Sequence, residues 1–191
     1  MAKAKERVRC PWSLKDRIYM SYHDKVWGTP EHNDKKLFAK LCLDGAQAGL
    51  SWYTILIRME GYRHAFDDWN VEKIARYDKR KVERLLKDPG IIRNRQKVES
   101  VIKNARAYLA IREHETFNDF LWKHVDHEPL VNKWKSMAQV PAKTQLSDQL
   151  SKDLSKHGFS FVGSTIVYAY MQAIGMVDDH LISCWRRTAR V

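Results

Sequence analysis

Two cysteines and two histidines stand at opposite ends of this chain, and together they restrict how the middle can fold. Cys10 and His23 lie near the start; His180 and Cys184 lie near the finish. Two sulfur and two nitrogen donors suit one tetrahedral zinc ion, and the i, i+4 spacing of His180 and Cys184 predicts a short helix presenting both from one face. If all four hold a single ion, the termini are tied together and everything between them is held in a fixed frame. Four protein ligands leave no open coordination position, so such a zinc is structural and any chemistry lies elsewhere. A His–Cys pair on a helix is also common in cores and on surfaces. Here two of the three cysteines enter the set, and both pairs sit close to ends that would otherwise fray.

The remaining cysteine, Cys42, lies in the apolar run from Leu37 and reads as core. An odd total of three argues against a disulfide framework and for a reducing compartment. Met1 to Arg7 is basic with no apolar stretch behind it, so no signal peptide is expected. The longest weakly polar run, Ile166 to Val177, is too short to span a bilayer. These features predict a cytoplasmic protein with no membrane partner. A length of 191 residues suffices for an independent core. The 34 Lys and Arg against 23 Asp and Glu give a net charge of +11, which favours a polyanion, most simply nucleic acid.

Helical signals dominate. Asp34 can cap a helix carrying Leu37, Phe38 and Leu41. Asn70 can cap another containing Ile74, and Gly90 can end the charged helix beyond it. Thr116 precedes Phe117, Phe120 and Leu121; Ser147 precedes Leu150 and Leu154, with Gly158 as the stop. Asp178 or Asp179 can cap the helix of His180 and Cys184. The stretch Phe159 to Tyr170 also suits a strand, and we read it as a buried helix from Ser164 to Ala173. Ser136 to Ser147, with Pro141, reads as a loop. The expectation is an all-α single unit of residues 1–191. Within it, residues 10–30 plus 160–191 form a zinc-stapled terminal part, and residues 31–159 form a helical body.

Aromatic residues crowd the first ligand pair: Trp12, Tyr19, Tyr22 and Trp27, with Trp52 downstream. Any one of these rings could simply be core. Asp44 follows Leu37 and Leu41 at helical spacing, which puts a carboxylate on an apolar face, unless the helix ends earlier and leaves it solvated. A carboxylate among stacking rings suits a flat, positively charged aromatic ligand. From Arg76 to Arg106 eleven basic residues oppose four acidic ones, a net of +7. Asp88 to Arg95 breaks this segment, predicting a helix–hairpin–helix near residues 88–95. There the backbone N–H groups of Gly90 and Ile92, with Arg93 and Arg95, would grip phosphate. A charge run can equally be a solvated helical face.

The residues carry a resemblance. Tyr22-His23-Asp24-x-x-Trp27-Gly28, Gln47-Ala48-Gly49-Leu50-Ser51-Trp52, Gly90-Ile91-Ile92-Arg93, Asn104-Ala105-Arg106, Gly158-Phe159-x-Phe161-Val162-Gly163 and Asp179-His180-x-x-x-Cys184 occur in order. From Arg9 to about Cys184 the chain closely resembles the bacterial 3-methyladenine DNA glycosylase I family, within the helix–hairpin–helix glycosylases. The resemblance implies a monofunctional, nucleoid-associated repair enzyme that flips alkylated adenine out of double-stranded DNA and hydrolyses its N-glycosidic bond. It implies Cys10, His23, His180 and Cys184 as ligands of one structural zinc, Trp12, Tyr19, Tyr22 and Trp52 as base pocket, and Asp44 as the base-reading acid. Gly49 and Leu50 would contact DNA, with Leu50, in the Gly49-Leu50-Ser51 turn, as the candidate wedge for the gap left by the flipped base. Asp44 departs from the family's Glu, and Ala46 from a usual Gln, which leaves base preference open. No lysine is expected as a Schiff-base nucleophile, and a monomer is the default state. The other reading is a zinc-stabilised protein that binds damaged DNA without cleaving it.

Overall fold

A long helix buried along most of its length organises the molecule. The computed structural model describes residues 7–187; Met1 to Glu6, on which the absence of a signal segment was read, and residues 188–191 lie outside the described residues. In chain order the helices are α1 (Arg17–Lys25), α2 (Asp34–Gln47), α3 (Trp52–Leu56), α4 (Met59–Ala65), α5 (Val71–Ile74), α6 (Lys79–Leu85), α7 (Arg95–Arg112), α8 (Phe117–Trp122), α9 (Gln145–Lys156) and α10 (Ser164–Ala173). The all-α expectation holds, and α10 has the predicted bounds. A two-residue parallel pair that the sequence reading did not foresee joins β1 (Leu130–Val131) to β2 (Val177–Asp178). No helix among the described residues is long and apolar enough to cross a membrane.

The core gathers around α2, which buries Leu37, Phe38, Leu41 and Cys42 against α7 and α10. Fully burying each such side chain contributes about 1.5–3 kcal/mol. Buried Tyr170 of α10 donates its hydroxyl to the Leu37 carbonyl at 3.1 Å. Asn104 of α7 accepts from Ser160 N–H at 2.8 Å and donates to its carbonyl at 3.2 Å. This reciprocal pair holds the loop before α10.

Several helix ends differ from expectation, and each difference has a local cause. Asn33, not Asp34, caps α2. Asp34 instead accepts from the N–H groups of Phe117 and Asn118 at 3.1 and 2.8 Å, so its charge faces the α8 N-terminus. Thr144 caps α9, with Ser147 completing the capping box three residues later. The charged segment splits into α5 and α6, capped by Asn70 and Asp78, and α6 ends at Leu85, before Gly90. His180 to Cys184 is not helical. Pairing of β2 keeps the chain extended to Asp178, Ile182 N–H bonds outward to Trp134 O at 3.0 Å, and Cys184 N–H closes a turn onto Leu181 O at 2.8 Å.

Gly61 on α4 packs directly against Gly90, and a methyl group there would overlap the Gly90 carbonyl. Gly61→Ala is expected to lower stability by about 1–3 kcal/mol, as overpacking does, read from chemical denaturation; an unchanged midpoint would mean that α4 and the turn at Gly90 do not press together.

Candidate functional site

The two chain ends meet as predicted, although without the helix. Cys10, His23, His180 and Cys184 are all buried, and their ligand atoms lie within 4.8 Å of one another. Cys184 Sγ is 3.4 Å from His23 Nε2 and 3.5 Å from His180 Nδ1, and Cys10 Sγ is 3.7 Å from His180 Nδ1. The two neighbouring sulfurs interact so that the Cys184 thiol is held below the usual thiol range while Cys10 is pushed above it. Two sulfurs with two imidazole nitrogens, closed off from water, form a donor set that fits a metal cation. His23 Nδ1 faces Asp24 Oδ1 at 2.9 Å, and Arg9 grips that carboxylate with two nitrogens at 2.8–3.1 Å. Such an outer carboxylate fixes the ring so that Nε2 points at the cation. Gly28, at φ +74°, lets the chain pass His180, because a Cβ there would lie 2.7 Å from Nε2.

Beside this junction opens a cavity of about 260 Å³. The N-terminal segment gives it Trp12, Lys15, Tyr19, Tyr22 and Trp27; α2 gives Lys40, Asp44 and Gln47; Trp52 begins α3; Gln172 and Asp179 come from the C-terminal side. Trp12 meets Tyr19, Tyr22 and Trp27 edge-on at 5.8, 6.4 and 5.0 Å, and Trp27 meets the His180 ring at 4.6 Å. The aromatic wall is therefore braced by the metal-type ligands. Tyr22 and Trp52 face one another at 5.4 Å. Tyr19 accepts the Tyr53 N–H at 3.0 Å, which joins α1 to α3. All four predicted pocket rings line the cavity.

Asp44 is buried at 2% exposure at the floor of the cavity, so the solvated alternative is excluded. Its Oδ1 pairs with Lys40 of the preceding turn, while its Oδ2 and the Trp52 indole N–H have no protein partner. Burial pushes the Asp44 carboxyl above the usual carboxylate range, against the pull of Lys40. Burial also lowers Lys40, which Asp44 opposes. Sequence reasoning missed Lys40, although its i, i+4 spacing to Asp44 is an ion-pair signal. It also missed Asp179 as a cavity residue. That carboxylate accepts from Asn132, Trp134, Tyr168 and Gln172 at 2.6–2.7 Å.

Of the residues read as DNA contacts, Gly49 and Leu50 adjoin this floor, sharing a second hollow with Asp44 and Gln47. Gly49, at φ +73°, turns the chain out of α2, and Leu50 at its tip is 40% exposed. Lys97 of α7 donates to the Ala46 and Ala48 carbonyls at 2.8 and 2.6 Å and so holds that turn. Between α6 and α7 the amides expected to grip phosphate have partners within the protein. Gly90 N–H is taken by Asp88 Oδ1 at 2.7 Å and Ile92 N–H by the Tyr62 hydroxyl at 3.2 Å, so neither is spare. Arg95 pairs with Glu83 at 2.6 Å and reaches Glu99 at 3.5 Å, whereas Arg93 is exposed. These internal bonds rigidify the turn and leave Arg93 exposed at its surface.

The methyladenine glycosylase family profile matches residues 12–187. The chain is 48% identical over 183 residues to the DNA-3-methyladenine glycosylase of Haemophilus influenzae, covering 95% of this chain and 99% of that protein. A crystal structure of 3-methyladenine DNA glycosylase I superposes with a TM-score of 0.92 at 46% identity, covering 94% of this chain and all of that one. A structure of the Staphylococcus aureus enzyme, solved to explain its recognition of 3-methyladenine, gives 0.91 at 37% identity over 94% of this chain and 96% of that one.

The Asp24 carboxylate is the main support of the His23 ring. Asp24→Asn is expected to weaken metal retention roughly 10- to 100-fold in competition with a chromophoric chelator; equal retention would mean that the His23 ring is oriented without it.

Proposed function

This chain belongs to the methyladenine glycosylase family, and on that premise we propose that it hydrolyses the N-glycosidic bond of 3-methyladenine in alkylated DNA, leaving an abasic site. The observation that carries the reading is the cavity floor: the buried Asp44 Oδ2 and the Trp52 indole N–H, both without protein partners, beside the tilted Tyr22 and Trp52 rings. Unsatisfied buried polar groups are costly unless a ligand completes them. A flat base carrying N–H donors and ring-nitrogen acceptors does so.

The bond is inaccessible inside a stacked duplex, so the damaged nucleotide swings out into the cavity, and loss of normal pairing lowers the cost of doing so. The base packs against the Tyr22 and Trp52 rings that line the cavity, and Asp44 Oδ2 accepts from it. Asp44 is shorter than the family's Glu by one C–C bond, about 1.5 Å, and a bridging water can span that gap. N3-methylation leaves the ring positively charged and weakens the bond, so binding and orientation supply most of the catalysis. Water, rather than a side chain, takes up the sugar carbon. Lys40 is engaged by Asp44 as an ammonium, and a protonated amine is no nucleophile. Leu50, half-exposed on its glycine turn, fills the gap left in the duplex, while the basic surface around α6 and α7 holds the phosphates of double-stranded DNA.

The metal of the Cys–His junction is zinc in this reading, held by Cys10, His23, His180 and Cys184. A zinc tetrahedron has sulfur–nitrogen edges of about 3.5–3.6 Å, close to the 3.4–3.7 Å spacings of the donors. Held by those four residues, such an ion would fasten the aromatic wall and leave bond cleavage to the cavity. The protein acts as a monomer.

Incubation with methylated duplex DNA should release free 3-methyladenine, identified by chromatography, with abasic sites left in the strand. Duplex binding with no released base would favour a damage-binding protein and end the enzyme reading. Trp52→Ala is expected to weaken binding of 3-methyladenine by about 1–3 kcal/mol in a titration; unchanged affinity would remove that ring from the stack.

A further inference from the structure

One cation inside the proposed base cavity is supplied by the protein itself. The Lys40 side chain is only 12% exposed; its ammonium pairs with Asp44 Oδ1 and lies 4.1 Å from the centre of the Trp52 ring. A carboxylate and an aromatic face are the two features that would attract a cationic base, and this ammonium already engages both. The other charged groups lining the cavity are Lys15 and Asp179, and Asp179 is occupied by four donors. Lys40 and Asp44 therefore form a pair of zero net charge. Its free edge offers an acceptor, Asp44 Oδ2, beside the spare N–H donors of the ammonium. That edge matches an uncharged adenine-type base, in which an exocyclic amine stands next to a ring nitrogen.

We propose that Lys40 sets the charge preference of the cavity, favouring the purine as it becomes neutral over the cationic base that enters. The inference rests on the glycosylase reading above. Methylation at N3 makes the ring of the damaged nucleotide positive. When the C1′–N9 bond breaks, its electron pair moves onto N9, the base becomes neutral, and the positive charge passes to the sugar. Water then adds to C1′ and gives up a proton. Lys40 repels the charged base of the ground state and spares the neutral one that departs, so its interaction energy differs along the reaction in the direction that favours cleavage. An unpaired carboxylate would act the opposite way and hold the charge on the ring.

The test compares free 3-methyladenine, neutral in mildly alkaline buffer, with 3,9-dimethyladeninium, a permanent cation. Quenching of tryptophan fluorescence gives both affinities for the unaltered protein, Lys40→Met and Lys40→Arg, while release of 3-methyladenine from methylated duplex is followed in parallel. The unaltered protein and Lys40→Arg are expected to favour the neutral base. Lys40→Met is expected to shift the affinity ratio toward the cation by about ten-fold or more. Preference of the unaltered protein for the cation, or an unchanged ratio in Lys40→Met, overturns the role of Lys40 while base release stands. Absence of base release from the unaltered protein overturns the glycosylase reading and this inference with it.

Discussion

Cys10 and His23 from one end of the chain meet His180 and Cys184 from the other within 4.8 Å, and the cavity wall is built on that junction. Trp12 meets the His23 ring at 5.4 Å, and Trp27 lies against both His23 and His180. The rings that face the cavity are thus packed on side chains whose own positions depend on the donor cluster. Separating the ends would release Trp12, Tyr19 and Tyr22 from Trp52 and Asp44, which belong to the helical body. A structural metal ion supplies on the order of 10 kcal/mol or more in small peptides, a large sum for chain ends that otherwise fray. The outer pair of Asp24 and Arg9 extends the same constraint to the surface.

Inside the cavity the decisive balance is between burial and pairing. Asp44 is nearly inaccessible, and a lone buried charge would be costly, so α2 provides Lys40 one turn earlier. That solution leaves one carboxylate oxygen unanswered at the floor. Asp179, by contrast, has every approach occupied by donors and serves to hold Asn132, Trp134, Tyr168 and Gln172 around it. Two acids at one cavity therefore have different parts: Asp179 organises the wall, and Asp44 keeps an acceptor for a ligand. The turn of Gly49 and Leu50 leaves α2 directly after this floor, and Lys97 ties it to the first turn of α7. The turn proposed to enter DNA and the cavity proposed to take a base thus share one helix.

Much of this was legible from the residues because the signals were local or repeated. The Asn70 and Thr116 caps and the bounds of α10 follow from side-chain chemistry within a few positions. The ligand set was legible from the economy of three cysteines. What failed depended on which partners the fold brings to a group, near or distant in sequence. The i, i+4 spacing of His180 and Cys184 suggested a helix, but β1 holds Val177 and Asp178 extended, Trp134 takes the Ile182 N–H, and the chain closes a turn at Cys184. Gly90 and Ile92 suggested exposed amides, but Asp88 and Tyr62 occupy them. Lys40 was legible in principle, four residues before Asp44; the apolar stripe of α2 hid it, because a lysine beside that stripe reads as solvated.

The central claim is that the cavity between the joined ends and α2 receives a purine swung out of the duplex. The most direct measurement is a crystal structure of the protein soaked with 3-methyladenine. The account predicts the base in this cavity against the Tyr22 and Trp52 rings, with its exocyclic amine turned toward Asp44 Oδ2. A base bound outside this cavity, or lying in it with Asp44 Oδ2 untouched, would contradict it.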